Sequence, residues 1–93
     1  MEFLEEKNRF YQVDEEQKLI AEIRFDTIKD NQVLVIEHTF TRPDFRGQGI
    51  AAELVKKVVD FAIKNHQQVQ PLCSYAKKEF IKNSDYQKIW YNH

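Results

Sequence analysis

Both glycines of the 93-residue chain fall in one short stretch, Gly47 and Gly49, just behind the fixed positive charge of Arg46. An apolar run, Val33 to Phe40, precedes them, and a helical pattern from Ile50 to Asn65 follows. A strand feeding a glycine turn that opens a helix builds an anion site. Successive backbone N–H groups converge there, and the helix dipole adds partial positive charge. Glycine lets an anion approach the backbone with no Cβ in the way, and a guanidinium such as that of Arg46 matches phosphate oxygens. Two familiar phosphate motifs are absent. No Gly-Lys-Ser/Thr ending marks a P-loop, and the third glycine and distal acid of a dinucleotide fingerprint are missing.

The other groups with intrinsic reactivity are the single thiol, Cys73, and the imidazole of His38. Cys73 stands just past Pro71, at the end of a short strand pattern. Strand ends of this kind form the ligand crevice in open α/β sheets. A free thiol is only fractionally ionised near neutral pH, and a nearby imidazole raises that fraction. His38 is the candidate for that role. The alternative for Cys73 is a small buried hydrophobe, and for His38 a hydrogen-bonded core residue. Glu37 and His38 are adjacent, so in a regular strand they face opposite ways and cannot serve one acceptor unless the strand bulges. His66 and His93 have no metal-ligand spacing, and no metal site is expected.

These groups need a frame. Asn8–Val13 alternates weakly and predicts a first strand. Lys18–Thr27 alternates clearly, with Glu22, Arg24 and Asp26 on the polar side, and predicts a second. Asp14–Gln17 and Lys29–Gln32 supply the turns. Val33–Phe40 is then a third strand, completing an antiparallel meander. The helix from Ile50 shows an apolar face of Ile50, Leu54, Val58, Phe61 and Ala62, with Val55 alongside. Glu53–Lys57 and Asp60–Lys64 are expected as i,i+4 pairs. Gln67–Ser74 predicts a fourth strand, which must return parallel beside Val33–Phe40. Pro71 argues for an edge strand, or for a place where ladder bonding stops. Tyr75–Lys82 reads as a short helix and Ser84–His93 as a packing tail. The fold class is therefore mixed α/β (α+β), with residues 1–93 forming one domain.

Arg46-x-x-Gly49-x-Ala51 resembles the Arg/Gln-x-x-Gly-x-Gly/Ala signature of the GNAT superfamily of acyl-CoA-dependent N-acetyltransferases. Thr41-Arg42-Pro43-Asp44-Phe45-Arg46-Gly47 is similar to the family's approach to that loop, with Thr41 where a Val or Ile is commoner. The chain is shorter than a usual domain of this family: two helices are replaced by the tight first turn, and the last pair of strands is missing. Within the superfamily it resembles a minimal class with a Glu-His-Thr strand, here Glu37-His38-Thr39. That class also has a Pro-x-Cys-x-Tyr strand end, here Pro71-Leu72-Cys73-Ser74-Tyr75.

The resemblance implies that acetyl-coenzyme A is bound by Phe40, Thr41, Arg46, Gly47, Gln48, Gly49, Ile50 and Ala51, with Cys73 beside it. It implies a pantetheine arm between splayed parallel strands, and polarisation of the thioester by backbone N–H groups near Phe40 and Thr41. Glu37 takes the place of a carboxylate that orients a water or accepts the amine proton. His38 fits a general base or a partner of Cys73. Cys73 either takes the acetyl group covalently or packs beside the thioester. Tyr75 takes the place of a proton donor to the leaving thiolate. The expected activity is acetyl transfer to an amine, on a small molecule or a protein. The alternatives are a coenzyme A-binding module without turnover and an interaction protein whose turn binds another phosphate.

Composition sets outer bounds. Hydrophobic residues at 42% and aromatics at 13% support a packed core. Residues 1–31 carry five Lys/Arg against nine Asp/Glu, and residues 32–93 carry nine against six, so the basic half contains the glycine turn. The overall charge of −1 favours neither nucleic acid nor an anionic membrane as a partner. The acidic start, Met-Glu-Phe-Leu-Glu-Glu, does not read as a signal peptide, and the lone cysteine suits a reducing compartment such as the cytoplasm.

Overall fold

The structure, a computed structural model, describes residues 2–91. Asn92 and His93, the end of the expected packing tail, lie outside the described residues. Five strands form one sheet in chain order: β1 (Leu4–Glu6), β2 (Arg9–Val13), β3 (Leu19–Ile28), β4 (Val33–Thr41) and β5 (Gln68–Pro71). The first four pair antiparallel, and β5 pairs parallel to β4. A single 3₁₀ turn (Pro43–Phe45) precedes α1 (Ile50–Lys64), and α2 (Ser74–Ile81) and α3 (Ser84–Gln87) follow β5.

The meander and the parallel return are those that alternation and the crossover rule predict. The difference is one more strand at the start. Leu4–Glu6 pairs with β2 through Leu4↔Tyr11 and Glu6↔Arg9, so the meander has four strands and the parallel one is the fifth. Its three side chains are all exposed; the strand is held by ladder pairing and leaves no apolar alternation to read. In the expected packing tail, Ser84–Gln87 forms α3, and Tyr86, Ile89 and Trp90 pack against the core. The N-cap of α3 is Asn83, whose side chain accepts from the amides of Asp85 and Tyr86.

α1 buries Ile50, Leu54, Val55, Val58, Val59 and Ala62 against the sheet, while Phe61 is only partly buried and closes a ring cluster with Phe10 and Phe25. Ala76 and Phe80 of α2 join the same cluster as Ile23, Leu34, Ile36 and Val69, so α1 and α2 pack on one side of the sheet. The expected i,i+4 pairs on α1 are replaced by Lys56–Asp60 at 3.0 Å. Lys57 instead places its ammonium over the Phe10 ring, where its stem covers apolar surface.

Two irregularities in β4 position the site. Opposite β3 the register runs Ile36↔Phe25 and then His38↔Arg24, leaving Glu37 as an extra, bulged residue. Opposite β5 the pairing ends at Ile36↔Pro71. Pro71 has no N–H to extend the ladder. The amides of Leu72 and Cys73 both turn onto the Ile36 carbonyl, at 3.0 Å each. Beyond that point the two parallel strands separate.

Candidate active site

The gap beyond Ile36 and Pro71 leads into a cleft of about 390 Å³. Thr39 and Thr41 of β4 form one wall, Phe45, Arg46, Gly47 and residues 49–51 another, and Tyr75 of α2 faces them. The backbone around the cleft follows from strand alternation. Arg42 N–H donates to the Ile20 carbonyl at 2.7 Å, so Phe40 also turns its peptide groups toward β3. Those of Thr39 and Thr41 face the gap. Arg46 Nε, donating to the Thr41 carbonyl at 3.1 Å, marks that side.

Gly47 and Gly49 adopt φ of +84° and +79°, the left-handed region that strains any residue with a Cβ. A Cβ built on either would meet nothing within 4 Å. The glycines are thus required by the turn of the backbone, and the space beside them is open to a ligand. Gly49 is also the N-cap of α1 and offers no side-chain cap. The first amides of α1 therefore have no intrahelical acceptor and stand at the positive end of a 15-residue helix. The Thr41 hydroxyl is buried in the cleft wall with no hydrogen-bond partner. A strand gap, amides without acceptors and an unpartnered hydroxyl together fit a thin polar chain ending in a phosphate group.

The loop is braced from outside. Arg42 donates to both oxygens of Asp44, at 2.8 and 3.1 Å, and to Asp14 Oδ2 at 2.9 Å. It also lies over the Phe45 ring at 5.1 Å. Asp14 belongs to the β2–β3 turn, where its other oxygen accepts from the amides of Glu16 and Lys18. The amide of Lys18, then the Arg42 side chain, holds the Asp14 carboxyl below the usual carboxylate range, and hydrogen bonding to Arg42 does the same for Asp44. Those two carboxylates in turn raise the Arg42 guanidinium above its ordinary value.

The structure divides the remaining candidates between the two sides of the sheet. Cys73 and Tyr75 lie on the helix side. The Cys73 thiol sits 3.9 Å from the Thr39 hydroxyl and is the N-cap of α2, accepting from Ala76 N–H at 3.4 Å. Tyr75 is pushed above the usual phenol range, first by burial and then by the negative charge of Glu79. Glu37 and His38 lie on the opposite side, where the bulge lets both line a second, shallow cleft with Arg9, Arg24 and Asp26. The regular-strand expectation that these neighbours face opposite ways gives way to the bulge. His38 is not brought to Cys73; its Nε2 stands 3.6 Å from Glu22 Oε2. Phe40 pairs across from Glu22 on that same far side and does not line the first cleft. Gln48 is exposed between the two glycines.

Sequence reasoning did not place Thr39 in the cleft. Thr39 stands three residues from the core residue Ile36, which in an unbulged strand would send it to the other face. Among the described residues, no group of three or more His, Cys, Asp or Glu gathers as metal ligands, and no helix is long and apolar enough to cross a membrane.

The comparisons agree with this geometry. The profile of GCN5-related N-acetyl-transferases matches residues 9–89. A GCN5-like protein from Staphylococcus aureus, solved by NMR, superposes with a TM-score of 0.81 at 32% identity, over 99% of this chain and 89% of that one. An uncharacterized N-acetyltransferase of Archaeoglobus fulgidus is 29% identical over 65 residues, 66% of this chain. The chain spans 44% of that relative's length. A protein from Clostridium acetobutylicum, solved with acetyl-CoA, shares the fold at 19% identity, with a TM-score of 0.55 over 94% of this chain and 64% of that one. The chain belongs to the GCN5-related N-acetyltransferase family.

Proposed function

We propose that the protein binds acetyl-coenzyme A in the β4–β5 gap and transfers the acetyl group to an amine. The observation that carries this reading is the opening of the two parallel strands after Ile36–Pro71, directly beside the Gly47–Gly49 turn. Amides of the loop and of the first turn of α1, with Arg46, would hold the pyrophosphate. The terminal nitrogens of Arg46 meet no partner among the described residues and remain available to it. The backbone of Thr39 and Thr41 would hold the arm and polarise the carbonyl, replacing Phe40 in that role. The bound coenzyme supplies an activated acetyl group and a thiol leaving group.

The proton steps then separate by face. On the far side, Glu37 orients the incoming amine and His38 takes its proton, freeing the nitrogen lone pair. On the helix side, Tyr75 keeps its phenolic proton at neutral pH and stands beside the cleft as donor to a departing sulfur. We place Cys73 as a packing and capping residue rather than a covalent carrier. Its sulfur is engaged with Ala76 N–H, and the imidazole that would activate it lies on the other face. The acceptor is a small-molecule or protein amine, and the lone cysteine suits the cytoplasm.

Titration with acetyl-coenzyme A followed by NMR tests binding: shifts should cluster at residues 39–51 and 71–75. Release of free thiol on adding an amine tests turnover. Binding without thiol release against a panel of amines would favour the coenzyme A-binding module, and no binding would overturn the assignment.

A further inference from the structure

The polar side of the sheet carries two charged residues, Arg9 and Glu22, that the acetyl-transfer chemistry above does not use. Arg9 of β2, Glu22 of β3 and His38 of β4 are diagonal neighbours across three strands. The direct cross-strand row is Arg9↔Arg24↔His38, three basic groups in line, an arrangement that is unfavourable without a counter-charge. Glu22 supplies it. One carboxylate oxygen takes Arg9 Nε at 2.6 Å and the other faces His38 Nε2 at 3.6 Å. Arg9 is itself braced by Glu6 at 3.2 Å and by stacking at 4.0 Å on the Tyr11 ring. The Glu22 side chain is only 12% exposed, whereas the His38 side chain is 52% exposed. A largely buried carboxylate thus stands behind a half-exposed imidazole. Lys7, Arg24, Asp26 and Glu37, the other charged groups lining the cleft beside His38, form no ion pair among the described residues.

We propose that Glu22 is a positioning residue for proton removal, holding the His38 ring toward the acceptor cleft and stabilising it once charged. This rests on the reading of the protein as an acetyltransferase. The step balances simply. An ammonium R–NH3+ gives one proton to the neutral imidazole, leaving R–NH2 and an imidazolium beside the Glu22 carboxylate, and the proton passes afterwards to water. Arg9 keeps Glu22 in place, and Glu37 remains free to face the amine.

The test combines an activity cycle with a readout of the protein alone. Glu22→Gln keeps the shape and an acceptor for Arg9 while removing the charge. His38→Gln should slow turnover about 10²-fold or more, the contribution of a general base. Glu22→Gln should slow it by roughly tenfold, and the double variant should be no slower than His38→Gln, because coupled residues are non-additive. Acetyl-coenzyme A affinity should not change in any of the three. Glu22→Asp, which keeps the charge on a shorter arm, should recover part of the loss. In the free protein, NOEs from the His38 ring to Glu22 and Arg9 should be present and should weaken in Glu22→Gln. Multiplicative losses in the double variant, or no loss in Glu22→Gln with the wild type active, overturn the proposal and leave the acetyltransferase reading intact. Absent ring NOEs overturn it without reference to turnover. A wild type that binds acetyl-coenzyme A and turns over no amine removes the activity reading and, with it, the proton-transfer role.

Discussion

The Cys73 thiol lies 3.9 Å from the Thr39 hydroxyl, while His38, the neighbouring residue on β4, faces the other side of the sheet. One strand therefore presents a sulfur contact to one face and an imidazole to the other, and the pair that would make a nucleophilic thiol is split by the sheet. Cys73 is also the N-cap of α2, and a sulfur is a weak acceptor for that position. Cys73→Ser should fold at least as stably as the wild type. Cys73→Ala should lose about 0.5–1 kcal/mol, the cost of a missing cap, as read from urea midpoints. Both should retain turnover, and intact-mass spectra after incubation with acetyl-coenzyme A should show no acetyl on Cys73. An adduct there, together with two inactive variants, would establish the covalent route instead.

The glycine turn makes a separate prediction. Because a Cβ at Gly47 or Gly49 finds open space, an alanine there is penalised by φ alone. Gly47→Ala and Gly49→Ala should each cost about 1 kcal/mol of stability, and Gly→Asn less, since asparagine tolerates the left-handed region. Coenzyme affinity by calorimetry should fall in all of them.

The Arg42 brace should give the protein an acid limit. Asp14 and Asp44 titrate below their ordinary values because of the hydrogen bonds they accept. A carboxylate depressed in the folded state contributes stability that is fully present above its unfolded value, near pH 4, and lost as pH falls through the folded value. Unfolding midpoints measured between about pH 2 and 6 should drop steeply at the acid end, and less steeply in Asp14→Asn. The same variant frees one end of the loop, so its coenzyme affinity should weaken even at neutral pH.

Glu37 and Tyr75 should differ in the parameter they change. Glu37→Gln removes a charge from the acceptor cleft, so KM for a cationic amine should rise with coenzyme affinity unaltered. Tyr75→Phe should lower kcat, by up to about 10²-fold if the phenol is a general acid. The raised phenol value means that the donor form persists beyond the ordinary phenol range. Turnover should therefore show no alkaline loss attributable to Tyr75 at pH below about 10.

Much of this site could be read from residue order. The Arg46–Ala51 pattern located the loop, alternation from Lys18 to Thr27 fixed β3, and Pro71 marked where the parallel ladder ends. What could not be read depends on pairing. β1 has no buried face to produce a pattern. The bulge at Glu37 leaves no mark in residue type, since a bulge is a mismatch between two strands and not a property of one. Plain alternation from Ile36 would put His38 on the core side and Thr39 on the far side, the reverse of what the bulged strand does. The Arg42 brace joins residues 28 positions apart, a contact that local spacing does not predict.

The offset in β4 has a wider consequence. Leu34 and Ile36 enter the core, and Thr39 and Thr41 enter the cleft, on the same face, although Ile36 and Thr39 are an odd number of residues apart. The strand is in effect two half-strands of opposite phase spliced at residue 37, one devoted to folding and one to chemistry. Side chains in either half can be exchanged singly. Loss of Glu37 itself would restore plain alternation opposite β3 and leave both halves facing as they do, whereas one further residue gained between Leu34 and Thr41 would exchange inside for outside in one half.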